Sequence, residues 1–254
     1  MARFAPGAGG QEASPGRAPG HTIGGLPVLI AGFPAGSWAT NCYLVAPRAG
    51  AECVIIDPGQ DAVTGIEDVI ARHRLRPVAV LLTHGHIDHI WSVVPVCGAR
   101  EIPACIHPAD RALLSDPARG LGLRPGQQLL RGLTFTEPDD VTELSDGMTL
   151  ELAGLELVVD HTPGHTPGSV TFRVPGDVLF SGDLLFAGSI GRTDLPGGDY
   201  PTILDSLARV CLPLPGQTRV LPGHGPETTI GAERAANPFL AGLTAGGAGA
   251  RPGI

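Results

Sequence analysis

The stretch Thr83-His84-Gly85-His86-Ile87-Asp88-His89 limits what this chain can become more than any other. It follows the apolar run Val78-Ala79-Val80-Leu81-Leu82, which reads as a buried strand, and it places four potential metal ligands where that strand must break. Residues two apart in an extended loop point the same way, so His84 and His86 can address one ion together. Asp88 and His89 open Ile90-Trp91-Ser92-Val93-Val94, which reads as the first turn of a helix, where an acidic side chain is favoured. Two adjacent clusters from one loop suggest two ions. A histidine-rich surface loop is the bland alternative. With 9 histidines in 254 residues, three within six positions beside an aspartate is improbable by chance.

Further ligands come from far along the chain, in segments of one form: an apolar strand, a glycine-containing turn, a ligand-type residue. Leu157-Val158-Val159 leads to Thr162-Pro163-Gly164-His165, Val178-Leu179-Phe180 to Ser181-Gly182-Asp183, and Val220-Leu221 to Pro222-Gly223-His224. Glycine beside each ligand permits the tight turn that aims the side chain inward. His21, His73, His107 and His161 lack this setting and read as structural or exposed. The assembled set is His84, His86, Asp88, His89, His165, Asp183 and His224. Nitrogen and oxygen ligands without thiolate suit zinc, iron or manganese. Seven ligands exceed one tetrahedral ion, and a carboxylate bridging two divalent ions makes the set a hydrolytic centre.

Composition narrows the partners. A net charge of −8 disfavours nucleic acid, because phosphate binding needs a basic footprint. All 17 basic residues are Arg, so lysine Schiff-base chemistry is excluded and an anionic substrate must be held by Arg, backbone N–H groups or metal. The five cysteines, Cys42, Cys53, Cys97, Cys105 and Cys211, are odd in number and contain no C-x-x-C, which suits buried thiols in a reducing, cytoplasmic compartment. No apolar run of about 18 residues argues for a membrane span. The partner expected is a small molecule, with the chain a monomer or homodimer.

Residues 1–25 are rich in Gly, Ala and Pro without an apolar core, and read as a disordered tail; 246–254 reads as a frayed end. Between them, 26–245 reads as one domain. Strands are expected at Leu26–Ile30, Asn41–Val45 and Cys53–Asp57, a helix over Asp61–Leu75, and a strand at Val78–Leu82. Pro103–Ile106 reads as a strand and Pro108–Leu114 as a short helix. Ser115 to Met148 reads as an irregular excursion or a substrate-covering lid. Strands resume at Thr149–Leu152, Leu155–Val159, Ser169–Val174 and Val178–Phe180, then a helix at Pro201–Cys211 and a strand at Arg219–Leu221. Two β-rich halves with helices can pack sheet against sheet, helices outside.

These residues together resemble the metallo-β-lactamase superfamily, over about Leu26 to Leu243. The resemblance implies an α+β αββα sandwich, two facing mixed sheets with helices outside and metals at one edge. It implies that His84, His86 and His165 hold one ion and Asp88, His89 and His224 the other, with Asp183 bridging. Within the superfamily the chain is similar to the single-domain glyoxalase II-like hydrolases, also called hydroxyacylglutathione hydrolases. The words that carry this are Thr162–Ser169, Gly191-Arg192-Thr193-Asp194, Pro222-Gly223-His224-Gly225 and Asn237-Pro238-Phe239-Leu240. It departs from the full-length pattern: only 30 residues follow His224, and Gly225-Pro226 stands where a Tyr-bearing segment is usual.

The resemblance implies thioester hydrolysis by two divalent ions, zinc first, with iron or manganese as alternatives. It sets Asp88 to take a proton as the intermediate collapses. It places Arg192 as a clamp for a substrate anion, against the alternative of a structural Arg paired to Asp194. It places Asp57 behind a ligand imidazole, fixing its tautomer, against the alternative of an ordinary turn residue. Persulfide dioxygenases share the scaffold and the Gly-Arg-Thr-Asp word, and would use one Fe(II) on His84, His165 and Asp183. Lactone hydrolysis is a third expectation. A β-lactamase would be expected to carry Cys at Asp183, and a nuclease an added basic domain.

Overall fold

Both faces of the central strands are buried, so their residues alternate between two separate cores. Along β4 (Glu52–Ile56), Val54 and Ile56 face one core while Cys53 and Ile55 face another. The computed structural model describes residues 21–23, 26–122, 133–174 and 177–244, and shows why. The first sheet holds β1 (His21–Ile23), β2 (Leu26–Ala35), β3 (Thr40–Ala46), β4, β5 (Arg76–Leu81), β6 (Ala104–Ile106) and β7 (Val141–Glu143), in that spatial order. The second holds β8 (Thr149–Leu152), β9 (Leu155–His161), β10 (Val170–Val174), β11 (Val178–Gly182), β14 (Arg219–Pro222) and β15 (Thr228–Thr229), ordered β15-β14-β11-β10-β9-β8. A short ribbon of β12 (Leu185–Phe186) and β13 (Ser189–Ile190) stands apart.

The inner core joins Val54, Ile56 and Leu81 of the first sheet to Leu157, Phe172 and Phe180 of the second. On the outside of the first sheet, Ile55 and Val80 pack with Ile66 of α1 (Ala62–His73) and Val93 and Val96 of α3 (Val93–Gly98). On the outside of the second, Leu179 and Val220 pack with Ile203 of α5 (Tyr200–Ser206) and Ile230 of α6 (Ile230–Ala236). Helix, sheet, sheet, helix is the αββα sandwich. Fully burying one such Leu, Ile or Phe side chain is worth about 1.5–3 kcal/mol, so three cores supply the main drive to fold.

Parallel pairing is what gathers chemistry at one edge. Strands β4, β5, β6 and β7 run parallel, as do β11 and β14. Their carboxyl ends therefore share a rim, the usual place for ligands in open sheets with parallel strands. The loops after β4, β5, β11 and β14 carry Asp57, His84 to His89, Asp183 and His224.

Several elements differ from the sequence expectation. His21–Ile23, within the stretch expected to be a tail, pairs with β2; residues 1–20 and 24–25 lie outside the described residues. Residues 246–254 also lie outside them. Within 115–148 the chain makes a 3-10 turn at Pro117–Leu121 and the edge strand β7, and 123–132, the middle of the expected lid, lie outside the described residues. The helix expected over Pro201–Cys211 is α-helical to Ser206 and then widens to a π turn at Leu207–Cys211. Among the described residues no helix is long and apolar enough to cross a membrane.

Candidate metal centre

The loops after β4 and β5 of the first sheet and the turns after β9, β11 and β14 of the second meet at the sandwich edge. The loop after β5 delivers His84 and His86, and the one-turn helix α2 (Ile87–Ile90) delivers Asp88 and His89. His165 Nε2 lies 2.8 Å from His86 Nδ1 and 3.2 Å from His84 Nε2. His224 Nε2 lies 3.0 Å from Asp88 Oδ2, and His89 Nε2 lies 3.4 Å from the same oxygen. Asp183 stands between: Oδ2 is 3.5 Å from His165 Nε2 and 3.7 Å from His224 Nε2, and Oδ1 is 3.4 Å from His89 Nε2. All seven side chains named from the sequence converge, in overlapping groups of His84, His86 and His165; His84, His89 and Asp183; and Asp88, His89 and His224.

The hydrogen-bond partners decide where the lone pairs point. His165 Nδ1–H donates to the Arg192 carbonyl at 2.7 Å, because a carbonyl can only accept. Thr83 Oγ1 donates to Asp57 Oδ2 at 2.6 Å, so the 3.1 Å contact with His84 Nδ1 must be donated by the imidazole. Both rings therefore present bare Nε2 lone pairs to each other at 3.2 Å with no hydrogen to share. Such a contact is repulsive until a cation sits between them. The 3.2 Å spacing also matches one edge of a tetrahedron, about 3.3 Å when zinc–nitrogen bonds are about 2.0–2.1 Å. His89 Nε2 and Asp183 Oδ1 are buried without a hydrogen-bond partner, the pattern expected where an ion supplies the missing contact, while His86 faces the group through Nδ1.

Asp57 organises this wall. It is buried with φ 50°, a left-handed backbone that costs energy outside glycine and that Asp tolerates better than most. Its carboxylate accepts from Thr83 N at 2.8 Å, Thr83 Oγ1 at 2.6 Å and His89 Nδ1 at 2.9 Å. Thr40 Oγ1 donates to Asp88 Oδ2 at 3.1 Å. The His224 turn is stitched to the other sheet, with Asn41 Nδ2 donating to Pro222 O at 3.0 Å and Gly225 O at 2.9 Å, and Tyr43 OH to Pro222 O at 2.8 Å.

Arg192 contributes its backbone to this wall. Its side chain is 61% exposed and bound to Asp194 through two contacts of 2.7 Å, so a substrate anion would compete with Asp194 for it. Sequence reasoning missed Asp110, which is fully buried and accepts hydrogen bonds from both the His84 loop and the His165 turn. It also missed Thr40, Asn41 and Tyr43, whose positions within a strand carry no functional signature.

Charge in the pocket is anionic enough to hold protons. Burial pushes His89 down, but Asp88, Asp183 and Asp57 outweigh it and hold its pKa at about 10. Burial, reinforced by His165, pushes His86 down to about 3, and His84 also lies well below its usual value. Burial would raise Asp88, but His89 and His224 outweigh it and keep its carboxyl below the usual range. At pH 7 the metal-free site thus keeps a proton on His89, which a metal must displace. Apparent affinity should rise with pH by about tenfold per unit, levelling near the His89 value of about 10, and fall toward acid. Calorimetric titration with zinc in buffers of different ionisation enthalpy should show release of at least one proton; heats independent of buffer would contradict this.

The comparisons with known proteins agree with the geometry. The sequence profile described as the Metallo-beta-lactamase superfamily matches residues 35–224. A relative in Mycobacterium tuberculosis named "Uncharacterized protein Rv2581c" is 52% identical over 224 residues, 85% of this chain and 100% of the relative. Hydroxyacylglutathione hydrolase GloC of Haemophilus influenzae is 35% identical over 217 residues, 82% of this chain and 96% of the relative. Among solved structures, the BLEG-1 B3 metallo-beta-lactamase has a TM-score of 0.74 and 42% identity, covering 84% of this chain and 100% of that one. TTHA1623 in a di-iron-bound form has a TM-score of 0.69 and 41% identity, covering 82% and 98%. With the family profile, the αββα sandwich and the His/Asp cluster in agreement, this chain belongs to the metallo-β-lactamase superfamily of metallo-hydrolases.

Proposed function

We propose that this protein is a dinuclear metal-dependent hydrolase of thioesters, with S-lactoylglutathione or a related thiol ester as substrate. The observation that carries the two-ion reading is Asp183, whose two oxygens face both ligand groups while the Nε2 lone pairs of His84 and His165 oppose each other. Likeness to the hydroxyacylglutathione hydrolase of Haemophilus influenzae supports the thioester class. Two divalent ions bound here would activate water near neutral pH and polarise the substrate carbonyl, with zinc first and iron, as in the di-iron relative, second.

The chain's own residues fix approach and leaving group. His224 and Asp88 are the ligands most open to solvent, their side chains 30% and 19% exposed against 10% or less for His89, His165 and Asp183. The carbonyl therefore enters over that side, where the Phe186 ring stands 6.2 Å from the His224 ring. No uncommitted acid lies among the ligands, and none is required, because a thiolate leaves readily from a thiol of pKa about 8.5. Asp88, hydrogen-bonded to Thr40 and His224, would receive a proton as the thiolate departs. A single iron on His84, His165 and Asp183 would leave Asp88, His89 and His224 converging on nothing, which ranks persulfide dioxygenation second. All five cysteines are buried and none is in a disulfide, which supports a reducing, cytoplasmic setting.

Metal-replete protein screened against S-lactoylglutathione, other thiol esters, lactones and β-lactams should release free thiol from at least one thioester. Lactam or lactone opening without thiol release would move the substrate class, since the BLEG-1 relative is named for the former. Oxygen consumption with a glutathione persulfide, and no hydrolysis, would overturn the proposal.

A further inference from the structure

A second buried carboxylate lies behind the site, outside every ligand group. Asp110 arrives on the one-turn helix α4 (Pro108–Arg111) and is 0% exposed. Its Oδ2 accepts from Gly85 N at 2.9 Å and Thr166 Oγ1 at 2.6 Å, and its Oδ1 accepts from Gly168 N at 2.7 Å. Gly85 stands between His84 and His86, whereas Thr166 and Gly168 belong to the turn that carries His165. One side chain thus ties together the two loops that supply the first ligand group.

The neighbours hold Asp110 at a fixed depth. A Cβ on Gly168 would fall 2.5 Å from Asp110 Cγ, and one on Gly85 2.8 Å from Leu113 Cβ, so both loops approach the helix as closely as bare backbone allows. His107 caps the helix by accepting from Ala109 N, and its ring stacks on His161 with centroids 4.1 Å apart and planes 7° apart. His161 in turn donates from Nε2 to Pro167 O at 2.8 Å, a second tie to the same turn. Asp88, His89 and His224 take their orientation elsewhere, from Thr40, Asp57 and the Asn41 and Tyr43 contacts.

We propose that Asp110 is a positioning residue that fixes the spacing of His84 and His86 from His165, and so sets the affinity of that one metal site without touching the other. This rests on the two-ion reading above. Partners behind metal ligands characteristically change affinity by about 10- to 100-fold when removed. Asp57 serves the loop after β5 from one side; Asp110 couples that loop to the second sheet.

The test uses zinc affinity, measured by chelator competition, in two parent chains. His224→Ala isolates the His84, His86, His165 group, and His86→Ala isolates the Asp88, His89, His224 group. Thr166→Val removes one of the three bonds to Asp110 and leaves both backbone donors. It should weaken zinc at least tenfold in the first parent and leave the second within twofold, while Thr166→Ser restores the parent value. Thr166 Oγ1 and Thr166 N also meet Ser169 Oγ, at 2.8 and 3.1 Å, so Ser169→Ala, which removes both contacts and spares Asp110, serves as the control and should leave zinc affinity in both parents within twofold. Asp110→Asn should weaken the first site further; because it turns an amide toward backbone donors and endangers folding, Thr166→Val decides. Equal weakening in both parents, or in neither, would overturn the proposal. Unsubstituted protein that binds fewer than two ions would instead sink the two-ion reading itself.

Discussion

Asp183→Ala is expected to lower metal content from two ions per chain to one or none and to abolish hydrolysis. Among the described residues Asp183 is the one carboxylate within 3.7 Å of His89, His165 and His224 together, so its loss takes an anionic ligand from both groups. Stabilisation of transition-state charge by bound metal is worth several kcal/mol, and each 1.36 kcal/mol is a factor of ten, so the rate should fall by about a thousandfold or more. Asp183→Asn should fail nearly as completely, since the amide keeps the shape but not the charge. Elemental analysis beside thioester turnover reads both effects. A variant that keeps two ions and its rate would remove Asp183 from the centre.

Gly223→Ala is expected to be almost as damaging, although it changes no ligand. A Cβ at Gly223 would lie 2.2 Å from Asp183 Oδ1 and 2.7 Å from His89 Cε1, far inside van der Waals contact. The turn cannot simply retreat: Gly223 N–H donates to Gly182 O at 2.8 Å, and Asn41 N–H donates to Gly223 O at 2.7 Å. The added methyl must therefore displace Asp183 or swing His224 away from Asp88. Zinc at the Asp88, His89, His224 group should weaken by about 10- to 100-fold, the range typical of disturbed ligand support. Overpacking of this kind also costs about 1–3 kcal/mol of stability. Gly225→Ala is the contrast: a Cβ there meets nothing within 4 Å, but φ +76° makes it a backbone effect only. If Gly223→Ala bound two ions as tightly as the parent, the close approach would have no consequence for the centre.

What the sequence made legible follows from how each residue does its work. His84, His86, Asp88 and His89 announce themselves because ligands crowd one loop, and His165, Asp183 and His224 because each repeats a strand, a glycine turn and a ligand. Strand β5 is readable as the buried apolar run Val78–Leu82, and the alternation of Ala79 and Leu81 with Val80 and Leu82 between two cores is the sandwich itself. Asp110 was not readable, because its donors lie 25, 56 and 58 residues away and two of the three are backbone N–H groups that any residue would offer. Arg192 drew attention by its guanidinium, yet the contact it makes to the His165 ring comes from its carbonyl. Two-residue strands such as β12, β13 and β15 have too few residues for periodicity to register. Strand β1 sits where glycine and proline dominate, and pairing with β2 outweighs that local composition.

The most direct measurement is anomalous diffraction from crystals of the metal-loaded protein. The account predicts two peaks about 3.5–4 Å apart, the spacing of two-metal hydrolytic sites. One should lie among His84, His86 and His165, and the other among Asp88, His89 and His224, with Asp183 reaching both. A single peak with His224 turned away from it would contradict the dinuclear centre.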